Sequence, residues 1–380
     1  MRIAMFADAY KPQINGMVTS IDSFVEELRR HGHEVHIFAP KCDDAKKERF
    51  VHRFESVRFS AYPEYKIGMP LSLFFNELFR KKRFDIVHVH SPFSMGIAGL
   101  YISRHYKIPV VGTFHTMFSE YPHYFITIKK FQKSIRVKSI FRKFAWKYLS
   151  WFYNQCDVVI APSDEIRGRM RKNGIKKEVL VIPTGTHINK RHASRKRRAM
   201  LRRKYGFSYG HKIILHVGRV TKEKDITAVI NAAGMLAEKD KNIRLIIASD
   251  GPYMNELRGA VKKRGMEDVV TFTGYVPKKD LDELYTISDA FAFASKTETQ
   301  GIVLADAAVN GLPVVVLNAP VTADFVKKHN AGYVAGSRDF HKKIRKALYE
   351  GKRAHADMRE YDIGACTGRL LDAYKRAICQ

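Results

Sequence analysis

MRIAMFADAYKPQINGMVTSIDSFVEELRRHGHEVHIFA, residues 1–39, reads as strand, helix, strand. Ile3 to Ala7 is a short apolar run, and a Pro/Asn/Gly loop at Lys11 to Gly16 ends it. Ile21, Phe24, Val25 and Leu28 then recur at helical spacing as far as His31-Gly32, a C-terminal stop signal. Val35 to Ala39 begins a second strand, so the chain opens as a βαβ unit.

The rhythm continues outward from this opening. Short apolar runs at Ile86 to Val89, Pro109 to Thr113 and Val158 to Ala161 are bounded by polar or Gly/Pro residues and read as strands. Lys190 to Lys204 interrupts the pattern with nine Lys/Arg and no acid, and the domain linker is expected there. Further strands follow at Ile213 to Val217, Leu245 to Ala248, Val269 to Thr273, Ala290 to Ala294 and Val314 to Leu317. Strands alternating with helices imply doubly wound parallel sheets, and 380 residues exceed what one core usually supports. The expected division is 1–187, 188–361 and a C-terminal helix at 362–380 that packs back on the first domain.

Composition narrows the class of protein. Four cysteines, Cys42, Cys156, Cys366 and Cys379, are spaced for neither a ligand pair nor a disulfide framework, and read as reduced thiols. No apolar run is long enough to span a bilayer. The formal net charge of +29 points to phosphate, in nucleic acid or in anionic lipid headgroups.

In doubly wound sheets ligands bind beyond the carboxyl ends of strands, so the loops there carry the candidate chemistry. Gly218-Arg219-Val220-Thr221-Lys222-Glu223-Lys224 follows one strand, and Arg219 and Lys224 are suited to neutralising a diphosphate. Ser295 to Gly301 follows another and leads into a helix. The amides of Gln300, Gly301 and Ile302 would make an anion site at its N-terminus. Glu298 can accept hydrogen bonds from sugar hydroxyls, and Asp306, expected about two turns into the helix, can reach the same ligand. Asp280-Leu281-Asp282 has a metal-holding form but opens a helix, where acids suit the dipole. His88-Val89-His90 puts two imidazoles on one strand face without a third ligand at zinc spacing.

Taken together, PQINGMVTS (12–20), HSPFSMG (90–96), GTFHT (112–116), GRVTKEK (218–224), SDGP (249–252) and ETQGIVLADAAVNGLPVV (298–315) resemble the retaining glycosyltransferases of family 4. The resemblance implies the α/β fold called GT-B, two Rossmann-like domains facing across a cleft. It implies Arg219 and Lys224 on a donor diphosphate, Glu298 on sugar hydroxyls, Asp306 on the ribose and His115 facing the transferred sugar. Asn15-Gly16 would approach the diphosphate from the other domain. No cofactor or metal is implied beyond the substrate nucleotide sugar, and the leaving phosphate helps to deprotonate the acceptor. Two departures stand out. Asp306 replaces the family's usual Glu, which leaves the nucleotide open, and Thr186-His187 stands where an Asp is common.

Between Glu120 and Asp157 there is no acid, while Lys129, Lys130, Lys133, Arg136, Lys138, Arg142, Lys143 and Lys147 interleave with aromatics. Phe141, Phe144, Tyr148 and Phe152 fall on one helical stripe, as in a helix that lies on an anionic membrane surface. The stretches SAYPEYKIGMPLS and HTMFSEYPHYF resemble the diacylglycerol glucosyltransferase subgroup. The expectation is a hexose, glucose from UDP-glucose, moved onto a membrane lipid such as diacylglycerol by an enzyme peripheral to the inner face of the cell membrane. A soluble sugar or cell-wall acceptor, and a basic nucleic-acid-binding protein on a Rossmann scaffold, are the competing readings. No nucleic-acid motif accompanies the charge.

Overall fold

The computed structural model describes residues 1–42, 44–45, 47–58, 66–69, 73–120, 134–188, 194–350 and 356–380. The chain forms two compact units, Met1–Gly185 with Asp362–Gln380, and Thr186–Tyr361.

The first unit runs β1 (Arg2–Phe6), α1 (Gly16–Arg30), β2 (Glu34–Pro40), β3 (Val51–Phe54), β4 (Ser56–Arg58), β5 (Lys66–Gly68), α2 (Leu73–Lys82), β6 (Ile86–Val89), α3 (Ser94–Tyr106), β7 (Val110–Thr113), α4 (Ile135–Tyr153), β8 (Val158–Ala161), α5 (Asp164–Lys172) and β9 (Glu178–Val181). Its parallel sheet has the order β3-β2-β1-β6-β7-β8-β9, and β4 pairs antiparallel with β5. Local chemistry explains α1. The Asn15 side chain accepts from the Val18 amide at 3.0 Å to cap it, Met17, Val18, Ile21, Phe24, Val25 and Leu28 are buried, and Gly32 ends it at φ +80°.

The second unit runs α6 (Arg195–Lys204), β10 (Lys212–Val217), α7 (Ile226–Ala237), β11 (Ile243–Ala248), α8 (Met254–Lys263), β12 (Val270–Gly274), α9 (Lys278–Ile287), β13 (Ala290–Phe293), α10 (Ile302–Val309), β14 (Val314–Leu317), α11 (Pro320–Lys328), β15 (Gly332–Ala335) and α12 (Phe340–Tyr349). Its parallel sheet has the order β12-β11-β10-β13-β14-β15. The basic stretch expected to be a linker is helix α6 over Arg195–Lys204, and the chain passes between units at Gly185 and Thr186 instead. Arginines hold this helix in place. Buried Arg202 donates to the Ile287, Tyr209 and His211 carbonyls and, at 2.7 Å, to Asp289 Oδ2, while Arg198 reaches Asp289 Oδ1 at 2.6 Å.

The last helix, α13 (Ile363–Ile378), is capped by Asp362, whose carboxylate accepts from the Ala365 amide at 3.0 Å. Its Ile363, Cys366, Leu370, Ala373, Tyr374 and Ala377 belong to the core that holds β1 and α1. Gly185 lies against it so closely that a Cβ there would stand 2.5 Å from the Ile363 Cα. Among the described residues no helix is long and apolar enough to cross a membrane.

Candidate functional site

Strand order in each sheet reverses at one place. In the second unit β10 lies between β11 and β13, so the loops after β10 and β13 splay apart and leave a crevice. Arg219 and Lys224 are on the first loop, and Glu298, Gln300 and Gly301 on the second. Lys224 Nζ donates to Glu298 Oε1 at 2.5 Å, with side chains 19% and 13% exposed. Gln300 is buried, and Gly301 takes φ +77° and opens α10 without a side-chain cap. The first N–H groups of a helix have no intrahelical partner, so this turn presents donors and a positive dipole end. The loop after β11 packs against the loop after β10, the Val220 amide donating to the Asp250 carbonyl at 3.0 Å. A Cβ on Gly251 would stand 2.4 Å from the Val220 carbonyl, so this approach needs glycine.

Asp306 lies just over one turn into α10, which begins at Ile302, rather than two. Thr186 Oγ1 donates to its Oδ1 at 2.6 Å, and the Thr186 amide donates to the Tyr361 carbonyl at 2.7 Å. Thr186, one of the two residues that depart from the family pattern, therefore touches the carboxylate that departs from it as well.

Three residues escaped sequence reasoning. His216 Nε2, Thr221 Oγ1 and Ser295 Oγ are buried with no hydrogen-bond partner among the described residues. His216 Nδ1 meets the Ala292 carbonyl at 3.0 Å, so that nitrogen carries the proton and Nε2 is left as an acceptor. Burial lowers its pKa to about 4, which keeps the ring neutral. Buried polar atoms without partners are rare, and three of them at a strand-end crevice mark a place for a polar ligand. Only their position just before or after a strand end could have flagged them.

In the first unit the order reverses between β1 and β6. Asp8, also missed, follows β1 and is fully buried. It accepts from Ser91 Oγ (2.5 Å), Ser94 Oγ (2.7 Å) and the Met95 amide (3.0 Å), which fixes the loop into α3. Burial raises its pKa despite those donors. Gly96 is required in the first turn of α3, since a Cβ there would stand 1.7 Å from the Ser91 carbonyl oxygen. Asn15 spends its side chain on the α1 cap, and Gly16 is the exposed first residue of that helix. His115 is half-buried, and its Nε2 lies 3.0 Å from Nδ1 of buried His90. His88 lies against His90 with ring centroids 3.9 Å apart and the planes tilted by 35°.

The basic aromatic stretch is in part helix α4. Lys129, Lys130 and Lys133 lie outside the described residues. Arg136, Arg142, Lys143 and Lys147 are exposed, and Arg142 pairs with Glu120 at 3.0 Å. The expected aromatic stripe is not one surface. Phe152 is fully buried, Phe141 and Tyr148 are half-buried with the Tyr148 hydroxyl donating to the Pro92 carbonyl, and Phe144 alone of the four is exposed, at 68%. The outward apolar residues are Ile140, Phe144 and Trp151, at helical spacing with Lys147 among them, because the helix turns Ala145, Trp146, Leu149 and Phe152 to the core.

The model of Glycosyltransferase Family 4 matches residues 14–190, and that of Glycosyl transferases group 1 matches residues 198–363. Alpha-monoglucosyldiacylglycerol synthase of Streptococcus pneumoniae is 32% identical over 374 residues, covering 96% of this chain and 81% of the relative. The synthase of the same name from Acholeplasma laidlawii is 30% identical over 341 residues, covering 87% of this chain and 84% of the relative. Among solved structures, HepE of Anabaena in complex with UDP has a TM-score of 0.76 at 18% identity, covering 99% of this chain and 100% of that one.

Proposed function

This chain belongs to glycosyltransferase family 4 and has the GT-B fold, and on that footing we propose that it moves glucose from UDP-glucose onto a diacylglycerol-type membrane lipid with retention. The observation that carries the donor assignment is the Lys224–Glu298 pair in the β10/β13 crevice, a cation for a diphosphate beside a carboxylate for hydroxyls. Paired at 2.5 Å, Lys224 and Glu298 neutralise each other. Donor binding turns Lys224 and Arg219 to the diphosphate and Glu298 to the sugar, while Asp306 takes the ribose. His216 Nε2 and the hydroxyls of Thr221 and Ser295 stand ready as further partners.

The chemical step balances without an enzyme nucleophile. The acceptor hydroxyl oxygen bonds to the anomeric carbon on the face from which the diphosphate departs. The carbon–oxygen bond to the diphosphate breaks, and the acceptor proton passes to a leaving phosphate oxygen. Arg219, Lys224 and the first amides of α10 stabilise the charge that develops there. The names of the relatives support a lipid acceptor, and so does the exposed Ile140, Phe144 and Trp151 face among the α4 cations. Such a face would rest in the interface of an anionic bilayer at the cytoplasmic side, each cation near the surface contributing about 1 kcal/mol.

The deciding experiment supplies radiolabelled sugar nucleotides, UDP-glucose and GDP-mannose included, with mixed lipids containing diacylglycerol, and follows label into the organic phase. Transfer from UDP-glucose into lipid is expected, abolished by Glu298→Ala. Label that enters only water-soluble acceptors would overturn the lipid assignment, and full activity in Glu298→Ala would overturn the donor site. Flotation with anionic vesicles tests the surface separately, and binding is expected to weaken as salt rises.

A further inference from the structure

We propose that His90 is a positioning residue that sets the tautomer of His115, so that His115 meets its ligand as a neutral imidazole protonated on Nδ1. The proposal rests on the reading that His115 faces the transferred sugar. Strands β6 and β7 are parallel neighbours, with Val89 opposite Gly112, so His90 and His115 emerge side by side from their carboxyl ends. Their rings lie 5.3 Å apart and 23° from parallel, and His90 Nδ1 is 3.0 Å from His115 Nε2.

Between two neutral imidazole nitrogens at that distance one carries a proton and the other accepts it. If His115 donated, His90 would carry its own proton on Nε2. That atom is buried and has no hydrogen-bond partner among the described residues. Neighbouring His88 offers it nothing, since His88 Nδ1 is engaged with the Tyr374 hydroxyl at 2.8 Å and His88 Nε2 with the Thr113 hydroxyl at 2.7 Å. A buried N–H without an acceptor is the rarer state, so His90 donates from Nδ1 and keeps a bare lone pair on Nε2. His115 Nε2 is then the acceptor, and the remaining proton of His115 sits on Nδ1. Burial lowers the His115 pKa to about 3, so the ring does not gain a second proton near neutral pH. A neutral ring protonated at Nδ1 donates a hydrogen bond from that atom and cannot take a proton there. In this arrangement His115 orients a hydroxyl and is not a base.

Long-range proton–nitrogen NMR of the full chain with ¹⁵N-histidine reads the tautomer directly. The wild type is expected to show His115 protonated at Nδ1 and bare at Nε2, unchanged from pH 6 to pH 8. His90→Asn, whose amide N–H can stand in for Nδ1–H, should keep that pattern, while His90→Phe should mix the two tautomers. In turnover, His90→Phe is expected to lower kcat about tenfold with donor KM unchanged, and His90→Asn to restore most of it. A His115 ring protonated at Nε2 in the wild type, or an unaltered spectrum in His90→Phe, would overturn the proposal. If His90→Phe fails to fold, the wild-type and His90→Asn spectra decide. His115→Ala with full activity would instead defeat the sugar-facing reading of His115, and the tautomer would still stand or fall on the spectrum.

Discussion

The Lys224–Glu298 pair makes a quantitative demand. At 2.5 Å and an effective dielectric near 20, two unit charges attract by about 7 kcal/mol before desolvation is counted. Both side chains are largely out of water, at 19% and 13% exposed, so desolvation offsets most of that gain and a net coupling of about 1–3 kcal/mol is expected. Lys224→Met leaves a carboxylate with no counter-charge, and Glu298→Gln leaves an ammonium in the same position. Each single variant should therefore destabilise the second unit by about 2–3 kcal/mol, while the double variant should cost less than the sum by the coupling energy. Native-state hydrogen exchange at the amides of β10 and β13 reads this locally, which suits a chain whose two units need not unfold together. Additivity within about 0.5 kcal/mol across the cycle would refute the pair as an interaction. On the proposed function the coupling should also shrink in saturating UDP-glucose, because the donor then separates the partners.

Three further expectations follow from the geometry. Burial lowers the pKa of His88 and His115 to about 3 and of His52 and His216 to about 4, whereas in the unfolded chain each protonates near 6.5. Stability is therefore full above about pH 6.5 and is lost on acidification toward pH 4, by about 1.4 kcal/mol per pH unit for each group; a denaturant midpoint flat from pH 7.5 to 5 would contradict this. Phe144→Asp should weaken binding to anionic vesicles about tenfold without moving the thermal midpoint, whereas Phe152→Ala, at a fully buried position, should cost about 3–5 kcal/mol of stability by calorimetry or urea titration. Thr186→Val removes a 2.6 Å hydrogen bond to Asp306 and should raise donor KM about tenfold in steady-state assays while Thr186→Ser stays near wild type; an unchanged KM would separate Thr186 from donor recognition.

Apolar continuity decided what the sequence made legible. Strands such as β10 and β14 lie inside the second sheet and read as runs dominated by Ile, Leu and Val, broken in β10 only by His216. Three strands that went unread, β3, β9 and β15, are edge strands, and β3 carries His52 and Arg53 where a run would need apolar residues. Helix α6 reads as a linker because its inward face is built partly from Arg198 and Arg202, which are held by carbonyls and Asp289, and no hydrophobic period announces such a face. The candidate site divides in the same way. Arg219, Lys224 and Glu298 stand in recognisable strand-end loops, but that Lys224 and Glu298, 74 positions apart, bond each other depends on β10 and β13 being sheet neighbours while β11 and β12, which lie between them in the chain, stand to one side of β10. His90 and His115 are likewise joined only through the pairing of β6 with β7.

Helix α13 closes the core of the first unit although it is made after the whole of the second. During synthesis Thr186–Tyr361 can complete its sheet and core while the first unit still lacks the residues that cover β1 and α1, and while His88 still lacks the Tyr374 hydroxyl. The first-made half is thus the last to be finished, and a growing chain must carry its unfinished apolar face through the interval in which the other half folds.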